Sequence, residues 1–365
     1  MNKGKLTVLV GGQYGSEGKG AVVAHIANEY DAHVRVGSPN AGHTIYWRGE
    51  KHVMQSIPCG WINPNADIII GRGALLNMKQ FMKELVHVLQ FYPDFLSRLH
   101  IDPEAGILSE KFRDAEGGKN GWFNEKIGST GEGVGAAREA RIHRDTEVFK
   151  RFKDVAHEYG LEQCISENTP LLVAIEQDAG RNVLIEGTQG SGLSLLHSHY
   201  PYCTSIDTNA AGIISEVGIA PSRVTDVLMV VRTFPIRVAG NSGYMKNEIT
   251  WEQLQQKMGV NITPEKTTVT QKIRRIAEWD ADLFYQSCLL NAPTCIALTF
   301  ADYIDPNVMD AVHPEDLLNS TRLMKFIKDS GINTKSHPLK YIGTGAKSMV
   351  TVNEGDFPIG QVRRF

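Results

Sequence analysis

The glycine-rich segment 12–20, GQYGSEGKG, combines residue types that bind phosphate groups. Glycines let backbone N–H groups approach a phosphate closely, and a helix that begins there adds a favourable dipole. Lys19 supplies a mobile positive charge for the β- and γ-phosphates of a nucleotide. The segment departs from the common P-loop, because Gln13 replaces its first glycine and Gly20 replaces the serine or threonine that holds Mg²⁺. It therefore predicts a triphosphate site whose Mg²⁺ finds ligands elsewhere; the alternative is a glycine-rich turn without a ligand.

The loop 40–44, NAGHT, is a second candidate site. His43 could donate to a phosphoryl oxygen or to an oxyanion that forms on the substrate, although a single histidine is more often structural. Loops that follow successive strands of a parallel sheet converge at one edge of the sheet. This convergence favours a functional role for His43.

The elements around these loops follow a strand–loop–helix pattern. An aliphatic run at 6–10 precedes the glycines, and 21–30 has the periodicity of a helix. Short apolar runs predict further buried strands at 33–36, 67–71, 182–186, 226–232 and 294–299, and amphipathic patterns predict helices at 78–91 and 146–159. Segments 116–138, 187–212 and 237–245 lack periodicity and are predicted to be binding loops. The pattern predicts an α/β fold with a large, mostly parallel central sheet, helices on both faces and long active-site loops.

Composition excludes several classes of function. The chain has 365 residues and a net charge of −3, so no overall basic field attracts nucleic acid. Its five cysteines are scattered without a C-x-x-C pair, which is typical of reduced thiols and argues against a metal or redox motif. No apolar stretch approaches the ~18 residues of a membrane span, and the first ten residues lack a signal-peptide pattern. We therefore expect a cytoplasmic protein with one domain over 1–365.

Five segments in order resemble the successive signatures of adenylosuccinate synthetases. They are 12–20, 40–44, 127–133 (IGSTGEG), 186–190 (EGTQG) and 200–205 (YPYCTS), and the resemblance extends over about residues 8–352. It implies a P-loop-like nucleotide-binding fold and a ligase that phosphorylates the 6-oxygen of a purine nucleotide. L-aspartate then displaces the phosphate through its amino group. A triphosphate cradle, a metal and an amino-acid site must lie together for this chemistry.

The resemblance also implies roles for individual residues. Ser16, Lys19, His43 and Gln189 would be the catalytic set, and Ser16 and the Gly42 carbonyl would hold Mg²⁺. The donor triphosphate would contact Gly15, Glu17, Gly18, Lys19, Gly20, Gly42, His43 and Thr44, with Phe300, Asp302, Gly343 and Gly345 near its base in a C-terminal part at roughly 295–365. The purine nucleotide would contact Ser16, Asn40, Ser129, Thr130, Gln189 and Thr204, together with Arg141 from the second subunit of a homodimer. Aspartate would be held by Thr268, Thr270, Lys272 and Arg274. Without the resemblance, 268–275 would be a solvated basic segment and Arg141 a surface ion pair.

Ser16 is the main departure from the family pattern, which has aspartate at this position within GDEGKG. That aspartate is assigned both as a Mg²⁺ ligand and as the base that removes the N1 proton of the purine. A serine hydroxyl is a weak metal ligand and a poor base near neutral pH. Because N1 lies next to C2, a shorter residue leaves room for a group on C2, as in guanine. In this respect the chain resembles a bacteriophage branch, the 2-aminodeoxyadenylosuccinate synthetases, which use dGMP; if it is of phage origin, its place is the host cytoplasm.

The expected donor-base pocket departs as well. Phe300 stands where the family has lysine in a TKLD motif, and 343–347, GTGAK, replaces a family STGP. An aromatic side chain and small residues suit adenine, which favours ATP or dATP over GTP. The alternative is an unchanged GTP site that has drifted in sequence.

Three functions remain open on this basis. The first is a ligase that joins L-aspartate to dGMP at the expense of ATP or dATP, with Mg²⁺. The second is adenylosuccinate synthesis from IMP and GTP, with Glu17 or Asp207 replacing the missing base. The third is a nucleotide-binding protein without chemistry.

Overall fold

The computed structural model describes residues 3–123, 127–267 and 271–360. In these residues the strands are β1 (Leu6–Gly11), β2 (Ala32–Arg35), β3 (His43–Trp47), β4 (Glu50–Met54), β5 (Asp67–Ile70), β6 (Leu75–Leu76), β7 (Leu99–Ile101), β8 (Gly106–Ile107), β9 (Val183–Glu186), β10 (Asp226–Arg232), β11 (Ile236–Arg237), β12 (Glu248–Ile249), β13 (Arg275–Ala277), β14 (Cys295–Thr299), β15 (Leu339–Gly343) and β16 (Met349–Thr351). The α-helices are α1 (Lys19–Ile26), α2 (Met78–Leu89), α3 (Glu110–Gly117), α4 (Val134–His143), α5 (Phe152–Val155), α6 (Thr169–Asp178), α7 (Ala210–Val217), α8 (Trp251–Met258), α9 (Ala281–Asn291), α10 (Pro314–Leu318) and α11 (Thr321–Ser330).

A nine-stranded sheet forms the centre of the molecule. Its order is β16-β15-β14-β10-β1-β9-β2-β5-β7, and all neighbours are parallel except the edge pair β15–β16. β3–β4 form a hairpin, β6–β8 a parallel pair, and β11-β13-β12 a small antiparallel sheet. The predicted α/β fold with a mostly parallel sheet is confirmed.

Side chains alternate between two cores, one on each face of the sheet. Val8 and Val10 of β1 pack in the core that α6, α7, α9 and α11 cover, whereas Leu9 packs in the core beneath α1 and α2. Continuous apolar strands are expected when helices cover both faces. The prediction of helices on both faces is confirmed.

Most predicted elements occur close to their expected bounds. The six strand predictions correspond to β1, β2, β5, β9, β10 and β14, and the predicted helix 78–91 is α2. The predicted helix 21–30 is α1, which starts two residues earlier and continues into a 3₁₀ turn at Ala27–Glu29.

The predicted helix 146–159 is wrong in its first half. Only Phe152–Val155 is α-helical, followed by a 3₁₀ turn at Ala156–Tyr159. The preceding backbone instead pairs with the segment after α2: Ile107 N–H donates to the Lys150 carbonyl at 2.9 Å, and Gly106 bridges Arg151. These tertiary hydrogen bonds override the local periodicity.

Two predicted loops contain helical ends. α3 ends at Gly117 and α4 begins at Val134, so only the middle of 116–138 is irregular. Gly131 and Gly133 have φ of +63° and +82°, and Gly133 caps α4. The abundance of glycine masked the short helical pattern. α7 likewise begins at Ala210, inside the predicted loop 187–212.

The carboxyl ends of β1, β2, β9, β10 and β14 meet at one edge of the sheet, and the loops of interest follow them. The C-terminal strands β14 to β16 belong to the same sheet. Among the described residues, no helix combines the length and apolar character that crossing a membrane requires.

Candidate active site

A cleft of about 1010 Å³ lies at this edge of the sheet. Its lining includes these predicted site residues: Gly15, Ser16, Gly18, Lys19, Gly20, Asn40, Gly42, His43, Thr44, Ser129, Thr130, Gln189, Thr204, Lys272, Arg274 and Phe300. Ligand sites of open α/β sheets form at this position, outside the carboxyl ends of the strands. The structure therefore brings together loops that are almost 300 residues apart in sequence.

The phosphate loop, residues 12–18, adopts a left-handed backbone at three positions. Gly15, Ser16 and Gly18 have φ of +83°, +57° and +85°, and Gly18 caps α1. A left-handed conformation costs serine more than glycine, so the fold must hold it there. Ser16 is exposed, whereas Lys19 on the first turn of α1 is buried.

Glu17 organises this loop from within. Its carboxylate accepts hydrogen bonds from the N–H groups of Gln13 at 3.1 Å and Gly15 at 2.8 Å, and it pairs with the Lys19 ammonium at 2.6 Å. Lys19 also donates to the Gln189 carbonyl. Glu17 is fully buried and does not line the cleft, and its expected contact with the donor stays a prediction. Its role in this structure is to shape the loop and orient Lys19.

His43 is held by a buried carboxylate at the end of β9. Glu186 accepts from His43 Nδ1 at 2.5 Å, from Arg35 Nη1 at 2.6 Å and from the Cys59 N–H at 2.7 Å. His43 Nε2 is buried and has no hydrogen-bond partner among the described residues. Because Nδ1 is engaged, Nε2 is the nitrogen free to act on a ligand in the cleft.

Burial and charge set the protonation of this pair. Burial, together with the nearby Arg35 cation, lowers the pKa of His43 to about 4. Burial alone would raise the pKa of Glu186, but the Arg35 charge and the hydrogen bond from His43 outweigh it and lower the pKa to about 2. The pair is therefore a neutral imidazole next to a carboxylate at neutral pH. Glu186 is placed to stabilise an imidazolium if an anionic ligand raises the pKa of His43.

Gln189 and Thr204 meet across the cleft. Gln189 Nε2 donates to Thr204 Oγ1 at 2.9 Å, while Gln189 Oε1 is buried without a partner in the described part of the chain. Gln189 also has a positive φ of 59°. An unsatisfied buried acceptor in a strained residue is typical of a side chain that completes its hydrogen bonds on a ligand.

A carboxylate fixes the loop that carries Ser129 and Thr130. Glu116 on α3 is buried and accepts N–H bonds from Gly133 at 2.7 Å, from Gly135 and from Ala136 at 3.1 Å. These N–H groups belong to the start of α4, where a carboxylate is favourable. Glu116 thereby ties α3, α4 and this loop into one unit.

The segment expected to bind aspartate forms one wall of the cleft. Lys272 and Arg274 line it, and the Arg274 N–H donates to the Glu265 carbonyl at 2.8 Å. Thr268 and Thr270 lie outside the described residues. Two further arginines that the sequence analysis did not predict are buried here. Arg237 lines the cleft, and Arg232 pairs with Glu265.

Only one of the four residues predicted to contact the donor base lines the cleft. Phe300 lines the cleft, whereas Asp302, Gly343 and Gly345 do not. Asp302 Oδ1 is buried without a partner among the described residues, and burial raises the pKa of its carboxyl to about 7. Lack of solvent favours the neutral acid, which can donate as well as accept a hydrogen bond.

Arg141 does not line the cleft of its own chain. It lies on α4 with its guanidinium carbon 5.5 Å from the ring centre of Phe149. Arg141 is thus not among the predicted site residues that this cleft gathers.

A group of possible metal ligands occurs beside the cleft, but hydrogen bonds account for it. His43, Cys59 and Glu186 bring ligand atoms within 4.8 Å of one another. Arg35 already pairs with Glu186, and burial raises the pKa of the Cys59 thiol, which keeps it protonated. The predicted Mg²⁺ ligands Ser16 and Gly42 both line the cleft instead.

Several residues that shape the site were absent from the sequence predictions: Arg35, Arg232 and Arg237, Glu116 and Glu265, and Tyr14. One signal was available, because Arg35, Glu186 and Arg232 are charged residues at the ends of apolar strands. Charged residues are almost never fully buried unless they are paired, so such positions indicate a site at the strand end.

Comparisons with known proteins identify related chains. The adenylosuccinate synthetase family model matches residues 8–171 and 145–312. The adenylosuccinate synthetase of Archaeoglobus fulgidus is 36% identical over 93% of this chain and 95% of its own length, and that of Methanococcus aeolicus is 35% identical over 95% and 98%.

Two solved structures share the fold. Succinoaminodeoxyadenylate synthetase of cyanophage S-2L, bound to dGMP and to dATP as an energy donor, superposes with a TM-score of 0.77 at 25% identity, covering 95% of this chain and 94% of that one. Fully ligated adenylosuccinate synthetase of Plasmodium falciparum has a TM-score of 0.81 at 20% identity, covering 96% and 100%.

Proposed function

Because the chain belongs to the adenylosuccinate synthetase family, C–N ligases that join aspartate to purine nucleotides, we propose that its purine substrate is dGMP and its phosphoryl donor ATP or dATP. The product is the 2-amino analogue of deoxyadenylosuccinate, a precursor of 2,6-diaminopurine nucleotides. The observation that carries the proposal is Ser16, an exposed serine in the cleft at the position of the family aspartate. The cyanophage neighbour, whose structure contains dGMP and dATP, supports the same choice.

The side chain of residue 16 is expected to decide between purines at C2. Serine is shorter than aspartate and uncharged, so it leaves space for the 2-amino group of guanine. It also removes an anion from a cleft that must accept a triphosphate and a nucleotide phosphate. Of the suggested replacement bases, Glu17 and Asp207 do not line the cleft, and Asp207 instead accepts from Ser194 Oγ at 2.6 Å.

The reaction takes place in two steps. The donor γ-phosphoryl group moves to the purine 6-oxygen as N1 loses its proton to water, which leaves the donor as a diphosphate. The aspartate amine then attacks C6, expels phosphate and loses a proton to water. Lys19 and the N–H groups of the phosphate loop bind the phosphates, and His43 Nε2, supported by Glu186, stabilises charge at the phosphorylated oxygen. Gln189 and Thr204 hold the purine nucleotide with Asn40, Ser129 and Thr130, while Lys272, Arg274, Thr268 and Thr270 hold aspartate.

The residues present fit a Mg²⁺ ion, because Ser16 and Gly42 both line the cleft beside the phosphate loop. The Ser16 hydroxyl and the Gly42 carbonyl are the hard oxygen donors that Mg²⁺ prefers. When bound, the ion would neutralise charge on the donor phosphates. Residue 16 would offer the ion a hydroxyl instead of a carboxylate.

Phe300 supports adenine as the donor base. Its backbone is left-handed, with φ of 60°, and the residue lines the cleft next to Thr299, whose hydroxyl donates to the Glu17 carbonyl at 2.6 Å. Asp302 is two residues away, and as a neutral acid it could donate to a ring nitrogen of adenine and accept from the amino group. We propose that these residues, with Gly343 and Gly345 in the part from roughly 295 to 365, contact the donor base within a single-domain chain.

Exchanging residue 16 tests the purine assignment. Ser16→Asp is expected to lower kcat/KM for dGMP at least about 10-fold and to raise it for IMP, because the longer anion collides with the 2-amino group. Ser16→Ala is the control; it should keep the preference for dGMP, since it restores neither length nor charge. A Ser16→Asp enzyme that gains IMP turnover and keeps its full activity on dGMP would contradict the assignment.

Adenylosuccinate synthesis from IMP with GTP is the second candidate. The names of the archaeal relatives favour it, since they are 35–36% identical over nearly the whole chain. It predicts that wild-type protein turns over IMP faster than dGMP. A nucleotide-binding protein without chemistry is disfavoured, because Lys19, His43 and Gln189 all line the cleft.

A further inference from the structure

We propose that Arg232 is a positioning residue that couples the donor site to the aspartate site. We name residues 265–267 and 271–275 the aspartate segment; the inference rests on the proposed function for the identity of the two ligands. Arg232 does not line the cleft, so it touches neither ligand directly. Its guanidinium contacts the protein elements that do.

One end of the connection is the phosphate loop. Arg232 ends β10, is fully buried and donates from Nη1 to the Ser16 carbonyl at 3.1 Å. Ser16 has a left-handed backbone, so an interaction at its carbonyl helps to hold a conformation that serine seldom adopts. The backbone of Arg232 is itself fixed, because Gln13 bonds its N–H at 2.9 Å and its carbonyl at 3.0 Å.

The other end is the aspartate segment. Arg232 Nη1 donates to Glu265 Oε2 at 3.2 Å, and Nη2 pairs with Oε1. The Glu265 carbonyl accepts from the Arg274 N–H, and Thr267 N–H donates to the Lys272 carbonyl at 2.9 Å. Glu265 therefore belongs to the backbone that pairs with the residues from Lys272 to Arg274. Its position sets where those two cations lie.

A third contact joins the residue proposed to meet the donor base. The Arg232 guanidinium carbon lies 3.8 Å from the ring centre of Phe300, and Thr233 Oγ1 donates to the Phe300 carbonyl at 2.7 Å. Tyr303, on the turn after Phe300, also donates to Glu265 at 3.3 Å. A single planar cation thus contacts the phosphate loop, the aspartate segment and Phe300.

This geometry depends on arginine rather than on positive charge alone. A guanidinium can bind both oxygens of a carboxylate, stack on a ring and donate to a carbonyl in one plane. A lysine ammonium keeps the charge but cannot maintain all three contacts. Any shift of the Ser16 peptide when phosphate binds is passed to Glu265 through one rigid group, which is what coupling between two sites requires.

The test uses Glu265→Gln, which keeps the shape and one acceptor but removes the charge that pairs with Arg232. Amide hydrogen exchange of residues 271–276 is measured with and without a non-hydrolysable ATP analogue. In wild-type protein the analogue should slow exchange there at least about 5-fold, in line with ordinary coupling strengths. In Glu265→Gln the analogue should leave the exchange rates of residues 271–276 unchanged, while it still slows exchange at residues 18–22. Arg232→Lys should behave in the same way.

Kinetics provide the second readout. The KM for aspartate should rise about 10-fold in Glu265→Gln, with the KM for the purine nucleotide within about twofold of wild type. Arg223→Lys is the control, because Arg223 forms a similar two-bond pair with Asp178, at 3.0 and 2.9 Å, on the protein surface. It should change neither readout.

The exchange measurement does not need turnover, so it separates this inference from the proposed function. If Glu265→Gln fails to fold, Glu265→Asp keeps the charge on a shorter arm and should show a partial loss of coupling. The inference would be overturned if the ATP analogue still slowed amide exchange at 271–276 in the folded variants. It would also be overturned if the KM values for aspartate, the purine nucleotide and the donor rose equally.

Discussion

At the scale of single residues, the site works through buried charges that bind one another before any ligand arrives. Glu17 holds Lys19, Glu186 holds His43 and Arg35, and each carboxylate is fully buried. Removing one partner of a buried pair leaves the other charge without compensation, which is costly. These pairs keep the reactive side chains preorganised, so that little rearrangement is needed when charge develops in the transition state.

Glu186→Gln tests the support of His43. The variant keeps an acceptor for Nδ1 but removes the charge that would stabilise an imidazolium, so kcat should fall by about 10²- to 10³-fold, the usual effect of losing one group that stabilises transition-state charge. The KM for aspartate should change less than about threefold. Both constants are measured by phosphate release under saturating nucleotides.

Glu84→Gln is the matched control for this substitution. Glu84 is another buried carboxylate and accepts N–H bonds from Gln55, Ser56 and Ile57, but it does not line the cleft. Its loss should lower the free energy of unfolding and leave kcat unchanged. Equal losses of kcat in the two variants would show that Glu186 acts through stability alone.

At the scale of elements, the sequence predicted what depends on local pattern and missed what depends on distant partners. β1 with its glycine loop and α1 were readable from apolar periodicity and glycine spacing, and so was the meeting of loops at one sheet edge. The backbone conformation at Lys150 and Arg151 could not be predicted from the sequence, because this segment pairs with Gly106 and Ile107 more than 40 residues away. The buried arginines were missed because their partners, Glu186 and Glu265, lie far along the chain.

The α3–α4 unit gives a prediction at this scale. Glu116→Gln can accept fewer of the N–H bonds at the start of α4, so the loop with Ser129 and Thr130 should loosen. The KM for the purine nucleotide is expected to rise about 10-fold, while the KM for the donor stays within about twofold.

Glu110→Gln is the control for this prediction, since Glu110 is exposed on the same helix. We expect the KM for the purine nucleotide to rise more than the KM for the donor in Glu116→Gln, and neither KM to rise in Glu110→Gln. A parallel rise in both KM values would place the effect on the whole fold rather than on this loop.

At the scale of the whole molecule, the sheet gathers loops from most of the chain but leaves Arg141 outside its own cleft. We propose that two copies associate and that each lends Arg141 to the purine nucleotide site of the other. The enzyme would then be incomplete as a single chain.

Mixing two inactive variants tests this arrangement. Arg141→Ala and Lys19→Ala should each lose most activity, but mixed dimers contain one site with both residues intact and should recover up to about a quarter of wild-type activity in an equimolar random mixture. Arg144→Ala is the comparison, because Arg144 is exposed at the end of the same helix. No recovery on mixing would contradict the exchange of Arg141, and loss of activity only in Arg144→Ala would assign the role to Arg144.

Product formation by wild-type protein decides whether dGMP and L-aspartate are the substrates; the protein is supplied with Mg²⁺ and ATP, with dGMP or IMP, with or without L-aspartate. Phosphate release and the mass of the nucleotide product are followed together. We predict aspartate-dependent phosphate release with dGMP, and a product whose mass is that of dGMP plus aspartate minus water. Turnover of IMP alone, or phosphate release that does not depend on aspartate with either purine, would contradict the account.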